Sequence, residues 1–146
     1  MNLTIYTDGA ARGNPGQSGI GVIVYNEQGE AIEEYCEYLG TATNNVAEYR
    51  ALIAGLTLAK KYLPCSIQFY MDSELLVQQM LGKYRVKNDI LSGYFNTAQQ
   101  MIPQFSGVNF THIPREKNKY ADRLANKAID AKVTPGQSFA LKTQEQ

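Results

Sequence analysis

The first 39 residues constrain the fold most tightly. Leu3–Thr7 alternates apolar and polar positions among β-branched and aromatic residues, Gly19–Tyr25 reads as a second strand, and Ala31–Leu39 sets Ile32, Glu34, Cys36 and Tyr38 on alternate positions. Gly13-Asn14-Pro15-Gly16 and Asn26-Glu27-Gln28-Gly29 lie between them, and both are turn chemistry. Three strands joined by short turns form an antiparallel meander. Asp8 falls where the first strand is expected to stop. Taken alone, Asp8-Gly9 reads as a turn dipeptide.

The period then changes. Asn45 can cap a helix whose apolar positions Val46, Tyr49, Leu52 or Ile53, Leu56 and Ala59 recur every three to four residues, and Pro64 ends it. Ser66–Met71 is a fourth strand. Separated from the third by a long helix, it can run parallel to the first through a crossover. Asp72-Ser73 opens a short helix to about Leu81, stopped by Gly82, and 83–87 is basic and irregular. A helix over Asn88–Ile102, a strand over Val108–Ile113 and a last helix capped by Asn118 complete the order βββαβααβα. Ala121, Leu124, Ala125, Ala128 and Ile129 are the apolar positions of that last helix. The order predicts an α/β domain over 1–132, one mixed sheet with helices packed on it. The tail, 133–146, is expected to be either frayed or docked by Phe139 and Leu141.

A chain of 146 residues suits one such domain. It has neither an apolar run near about 18 residues nor a charged-then-apolar leader, so neither a membrane-spanning nor a secreted protein is expected. Cys36 and Cys65 have no metal-site spacing, and two thiols in a domain with its own core suggest a reducing compartment, here the cytoplasm. The single histidine puts a histidine-cysteine zinc site out of reach. Net charge is zero but unevenly placed: seven acidic and two basic residues up to Arg50, nine basic and four acidic from Lys83 to Lys132. A polyanionic partner would favour the second region.

Four carboxylates could meet. Asp8 and Asp72 end strands one and four, so parallel neighbours would bring both to one edge of the sheet, where open α/β sheets bind ligands. Glu48 lies early in the long helix, on the face of Leu52 and Gly55, the latter small enough to let the helix approach the sheet. Asp122 lies in the first turn of the last helix, in line with Ala125 and Ile129. Each also has a local use: Asp72 or Ser73 as an N-cap, Asn45-x-x-Glu48 as a capping box, Asp122 against a helix dipole. Four inward-tending carboxylates without matching cations would repel one another and suffer desolvation. Hard divalent cations relieve both, and an all-oxygen site suits magnesium or manganese. Two such ions are the usual apparatus for in-line displacement at a phosphodiester, which predicts a nuclease.

Thr7-Asp8-Gly9, Gly13-Asn14-Pro15-Gly16, Thr43-Asn44-Asn45-x-x-Glu48, Asp72-Ser73 and Asn118-x-x-Ala121-Asp122-x-Leu124-Ala125 together resemble type 1 ribonuclease H, in order and from Met1 to about Lys132. The resemblance implies a ribonuclease H-like fold, a five-stranded mixed sheet of order 3-2-1-4-5 flanked by helices. It implies an endoribonuclease that hydrolyses the RNA strand of RNA·DNA hybrids, leaving 5′-phosphate and 3′-hydroxyl ends, with two Mg2+ ions for which Mn2+ can substitute. By the same resemblance Asp8 bridges both ions, Glu48 and Asp72 complete one, and Asp122 completes the other. Gly9, Ala10, Gly13, Asn14, Thr43, Asn44, Asn45 and Ser73 are the implied substrate contacts, in keeping with the need to read a ribose 2′-hydroxyl across a shallow minor groove. Asn45 serves either as that contact, as an N-cap, or as both. Tyr84, Arg85 and Lys87 could meet the phosphates of the DNA strand.

The chain departs from the family pattern in three places. Gly82–Asn88 is too short for the lysine-rich handle helix of many members, and Val46 stands where some relatives carry a basic residue. Pro114-Arg115-Glu116 directly follows strand five, similar to the short, archaeal-like form, so Arg115 rather than His112 is expected to assist catalysis. A histidine inside a strand is usually packed or hydrogen-bonded. Double-stranded RNA is a possible second substrate, and a monomer is expected. The alternatives are a hybrid- or double-stranded-RNA-binding module with little catalysis, and a DNA-acting nuclease of the same fold. Retention of all four carboxylates argues against the first, since a pure binder would gain phosphate affinity by losing them. Asn14, Asn44 and Asn45 speak against the second.

Overall fold

The computed structural model describes residues 1–133 and the backbone of 138–140. Strands β1 (Asn2–Gly13), β2 (Gly16–Tyr25) and β3 (Ala31–Ala42) form the antiparallel meander. Helix α1 (Asn44–Ala59) crosses to β4 (Ser66–Met71), which lies parallel to β1. Helices α2 (Glu74–Met80) and α3 (Asp89–Met101) lead to β5 (Gly107–His112), parallel to β4, and α4 (Lys119–Ala131) follows. The first five strands take the expected order, 3-2-1-4-5.

A sixth strand extends that sheet. The backbone of β6 (Ser138–Ala140) runs antiparallel to Glu33–Tyr35 of β3, giving the order β5-β4-β1-β2-β3-β6. Residues 138–140 of the tail therefore pair with β3 through the main chain, Phe139 opposite Glu34. Leu141 lies outside the described residues.

The first strand is longer than its sequence suggests. Its pairing with β4 ends at Thr7↔Met71, yet its pairing with β2 continues from Asp8↔Gly21 to Gly13↔Gly16. An antiparallel partner keeps satisfying the backbone after the parallel one has left, so Asp8-Gly9 is extended strand, not a turn. The reversal falls at Gly13, whose φ of 102° an L side chain would resist.

Helix α1 covers one face. Tyr49, Leu52 and Leu56 bury against Leu3, Ile5, Ile67 and Phe69. Gly55 allows the close approach, because a Cβ there would lie 2.9 Å from the Phe69 ring. Helix α4 covers β2 and β3 on the opposite face, where Leu124 and Ala128 pack with Ile23 and Cys36. Cβ atoms at Gly19 and Gly21 would lie 2.6 Å from the Ala125 oxygen and 2.2 Å from the Ala121 oxygen. Those glycines seat α4 directly on the strand backbone, and Asp122 lies within the seated stretch.

Candidate active site

Parallel pairing brings Asp8 and Asp72 together. Thr7↔Met71 is the last registered pair, so the next residue on each strand is a carboxylate. Glu48 arrives from α1. Its Oε1 accepts the Gly9 N–H at 3.0 Å, and a Cβ at Gly9 would lie 2.3 Å from the carbonyl carbon of Ala47. Only glycine permits that approach. Oxygens of Asp8, Glu48 and Asp72 all lie within 4.8 Å of one another. Asp122 joins them from α4, close enough to Asp8 for the two carboxyls to share a hydrogen bond. The four line one cleft of about 360 Å³.

This crowding has an electrostatic signature. Burial pushes the Asp8 carboxyl far above its usual range, and the charges of Glu48, Asp72 and Asp122 push in the same direction. Burial also raises Glu48, reinforced by Asp72, while the Gly9 N–H and the Arg115 charge partly offset it. Arg115 is the only basic side chain lining the cleft among the described residues. One guanidinium cannot neutralise four carboxylates. All-oxygen donors at this spacing fit hard divalent cations.

The other residues singled out from sequence divide into two groups. Gly9, Ala10, Asn44, Asn45, Ser73 and Arg115 line the cleft with the carboxylates. Gly13 and Asn14 sit at the β1–β2 turn, where Asn14 Oδ1 accepts the Asn44 N–H at 3.0 Å. Thr43 is spent on structure, its hydroxyl accepting the Val46 N–H as the N-cap of α1. The cap is thus two residues earlier than Asn45, and no Asn45–Glu48 capping box forms, because Glu48 is turned to Gly9. Ser73 caps α2 through the Leu76 N–H. His112 is exposed on β5 and is not among the residues lining the cleft. Tyr84, Arg85 and Lys87 are exposed between α2 and α3.

A family model described as reverse transcriptase-like matches residues 6–128. The N-terminal RNase H domain of Rv2228c from Mycobacterium tuberculosis superposes with a TM-score of 0.86 at 44% identity, covering 89% of this chain and all of that one. RNase H1 from the halophilic archaeon Halobacterium salinarum gives a TM-score of 0.86 at 36% identity, covering 90% of this chain and 99% of that one. The chain belongs to the type 1 ribonuclease H family. A further member, LC11-RNase H1, has been solved with an RNA/DNA hybrid; it gives a TM-score of 0.85 at 44% identity over 89% of this chain and 98% of that one. The full Mycobacterium tuberculosis relative, called the bifunctional protein Rv2228c, is 45% identical over 132 residues. This chain spans only 36% of its length.

Within this ribonuclease H-family site, one residue has a different part from the one its sequence context suggested. Asn118 starts α4 but makes no side-chain cap. Its buried Nδ2 donates instead to the Thr7 carbonyl at 2.9 Å and to Asp72 Oδ2 at 2.8 Å. It thereby pins α4 to β1 and fixes Asp72. An asparagine before a helical run reads as a cap, and the partner that overrides this is 111 residues away in sequence.

Proposed function

We propose that this chain is a metal-dependent endoribonuclease acting on RNA·DNA hybrids. The carrying observation is the convergence of Asp8, Glu48 and Asp72 within 4.8 Å, with Asp122 beside Asp8, in a cleft where Arg115 is the only basic side chain among the described residues. Asp8, Glu48, Asp72 and Asp122 would hold a pair of Mg2+ ions, or Mn2+ in their place. When bound, such ions activate an attacking water and stabilise the leaving oxygen of a phosphodiester. Asp8, on which the charges of Glu48, Asp72 and Asp122 all act, would contribute to holding both ions, Glu48 and Asp72 to one of them, and Asp122 to the other.

The chain's own groups do the rest. The Gly9 N–H and the Asn118 amide fix Glu48 and Asp72 before any ion arrives, so little reorganisation is left to the reaction. Asn14, Asn44 and Asn45, with the backbone at Gly9, Ala10 and Gly13, offer donors and acceptors along the cleft rim, suited to ribose hydroxyls and minor-groove edges. Thr43 and Ser73 contribute by holding the starts of α1 and α2. Arg115 can steady the scissile phosphate or the departing product. Residues 1–132 form the catalytic domain, acting as a monomer in the cytoplasm; among the described residues no helix is long and apolar enough to cross a membrane, and Cys36 and Cys65 are free and buried.

Support comes from the site geometry and from LC11-RNase H1, a family member solved with an RNA/DNA hybrid. The test is incubation with end-labelled hybrid, double-stranded RNA and duplex DNA, each with Mg2+, Mn2+ or chelator. Internal cleavage of the RNA strand of the hybrid, with 5′-phosphate ends and none in chelator, is expected. Cleavage unaffected by chelator, or confined to duplex DNA, would refute the proposal.

A further inference from the structure

We propose that Arg12 and Asn126 form a positioning relay that orients Asp122 and couples it to the β1–β2 hairpin. The inference rests on taking Asp122 as one of the cation-holding carboxylates. Asn126 lies one turn after Asp122 on α4, and its Nδ2 donates to the Asp122 backbone oxygen at 3.0 Å and to Asp122 Oδ1 at 3.3 Å. Two oxygen acceptors already call for the amide nitrogen on that side, and Arg12 reinforces the orientation from the other. Its Nη2 donates to Asn126 Oδ1 at 3.0 Å while its Nη1 pairs with Asp130 Oδ1 at 2.7 Å. The guanidinium fork thus spans two acceptors one turn apart. With the amide oxygen held by Arg12, its NH2 must face Asp122.

Arg12 stands at the far end of β1, immediately before Gly13-Asn14, and Asn14 is tied to the start of α1 through the Asn44 N–H. The hairpin is therefore anchored to α4 on one side and to α1 on the other, with the carboxylates between. One Asp122 oxygen is held by Asn126, which fixes the rotation of the carboxylate and leaves the other oxygen for a ligand. Without the relay, ordering of that carboxylate would fall on cation binding itself. The Arg12 and Asp130 side chains are 48% and 67% exposed, so the ion pair adds little to stability. A positioning role remains as its consequence.

The test compares Asn126→Ala, Arg12→Ala and Arg12→Lys in the full chain. Three quantities are read: Mn2+ binding by calorimetry without nucleic acid, kcat and KM on hybrid, and the melting temperature in EDTA. Asn126→Ala is expected to weaken Mn2+ binding on the order of tenfold and to lower kcat with it, leaving KM and the melting temperature near wild type. Arg12→Ala should shift both in the same direction by less. Arg12→Lys keeps the charge but not the fork, and should resemble Arg12→Ala. A wild-type Mn2+ isotherm and kcat in Asn126→Ala, or a loss confined to melting, overturns the relay. If the wild type binds Mn2+ but leaves hybrid intact, the nuclease proposal fails while the Mn2+ comparison still judges the relay. If the wild type binds no Mn2+, both fall.

Discussion

Asp8 carries the sharpest tension in the molecule. Its folded-state pKa is raised by burial and by three neighbouring carboxylates, whereas an unfolded aspartate titrates near about 4. The folded form therefore holds the proton more tightly, and stability of the metal-free protein falls as pH rises from about 4 towards and beyond neutrality. Below about 4 both states are protonated and the penalty vanishes. Urea unfolding in EDTA at pH 5 and pH 8 should show the decline, and Mg2+ or Mn2+ should reverse it at pH 8. Asp8→Asn should abolish cleavage yet stabilise the metal-free fold at pH 8, on the order of 2 kcal/mol, or a melting rise of roughly 3 °C per kcal/mol. A destabilised Asp8→Asn variant, or one with full activity, would contradict this account. Arg115→Ala should slow turnover several-fold, and His112→Ala should change it far less, because only Arg115 lines the cleft. Single-turnover rates of the two variants decide between them.

At the scale of elements, the site depends on where backbones touch. Gly9 lets α1 approach β1, and its N–H holds Glu48. A methyl group at Gly9, 2.3 Å from the Ala47 carbonyl carbon and 2.4 Å from the Glu48 nitrogen, must push the start of the helix outward. Gly9→Ala should cost about 1–3 kcal/mol or more in urea unfolding, and its kcat should drop even where the variant is fully folded. Wild-type kcat would mean that Glu48 need not be held by that contact. The periodicity revealed α1 and its packing face: Tyr49, Leu52 and Leu56 are core, as their spacing demands. Element ends were less legible. The start of α1 depends on Thr43 rather than Asn45, and the length of β1 depends on β2, a partner whose pairing is invisible to a local pattern. The four carboxylates were legible because two follow adjacent parallel strands and two lie early in helices packed on the sheet, which is how they reach one cleft. Asn118 was not, since its amide answers to Thr7 and Asp72 across the sheet. Nor was β6, whose three residues carry no alternation long enough to read.

Across the whole molecule, chemistry and connection are segregated. The carboxylates gather where β4 leaves β1, and the Gly13–Gly16 reversal rises beyond them. The Asn26–Glu30 turn closes β2 onto β3 at the opposite end of the sheet, held by Asn26 Oδ1, which accepts the N–H groups of Gln28 and Glu30. That polarity makes the distal turn a permissive port. A short flexible guest sequence spliced between Glu27 and Gln28 should fold with its host and leave hybrid cleavage within about twofold, because surface loops absorb added length at little entropic cost. A guest of the same length between Gly13 and Asn14 should silence the enzyme. Reporters, tethers or targeting modules grafted onto the distal-turn pole should therefore leave the carboxylate pole working.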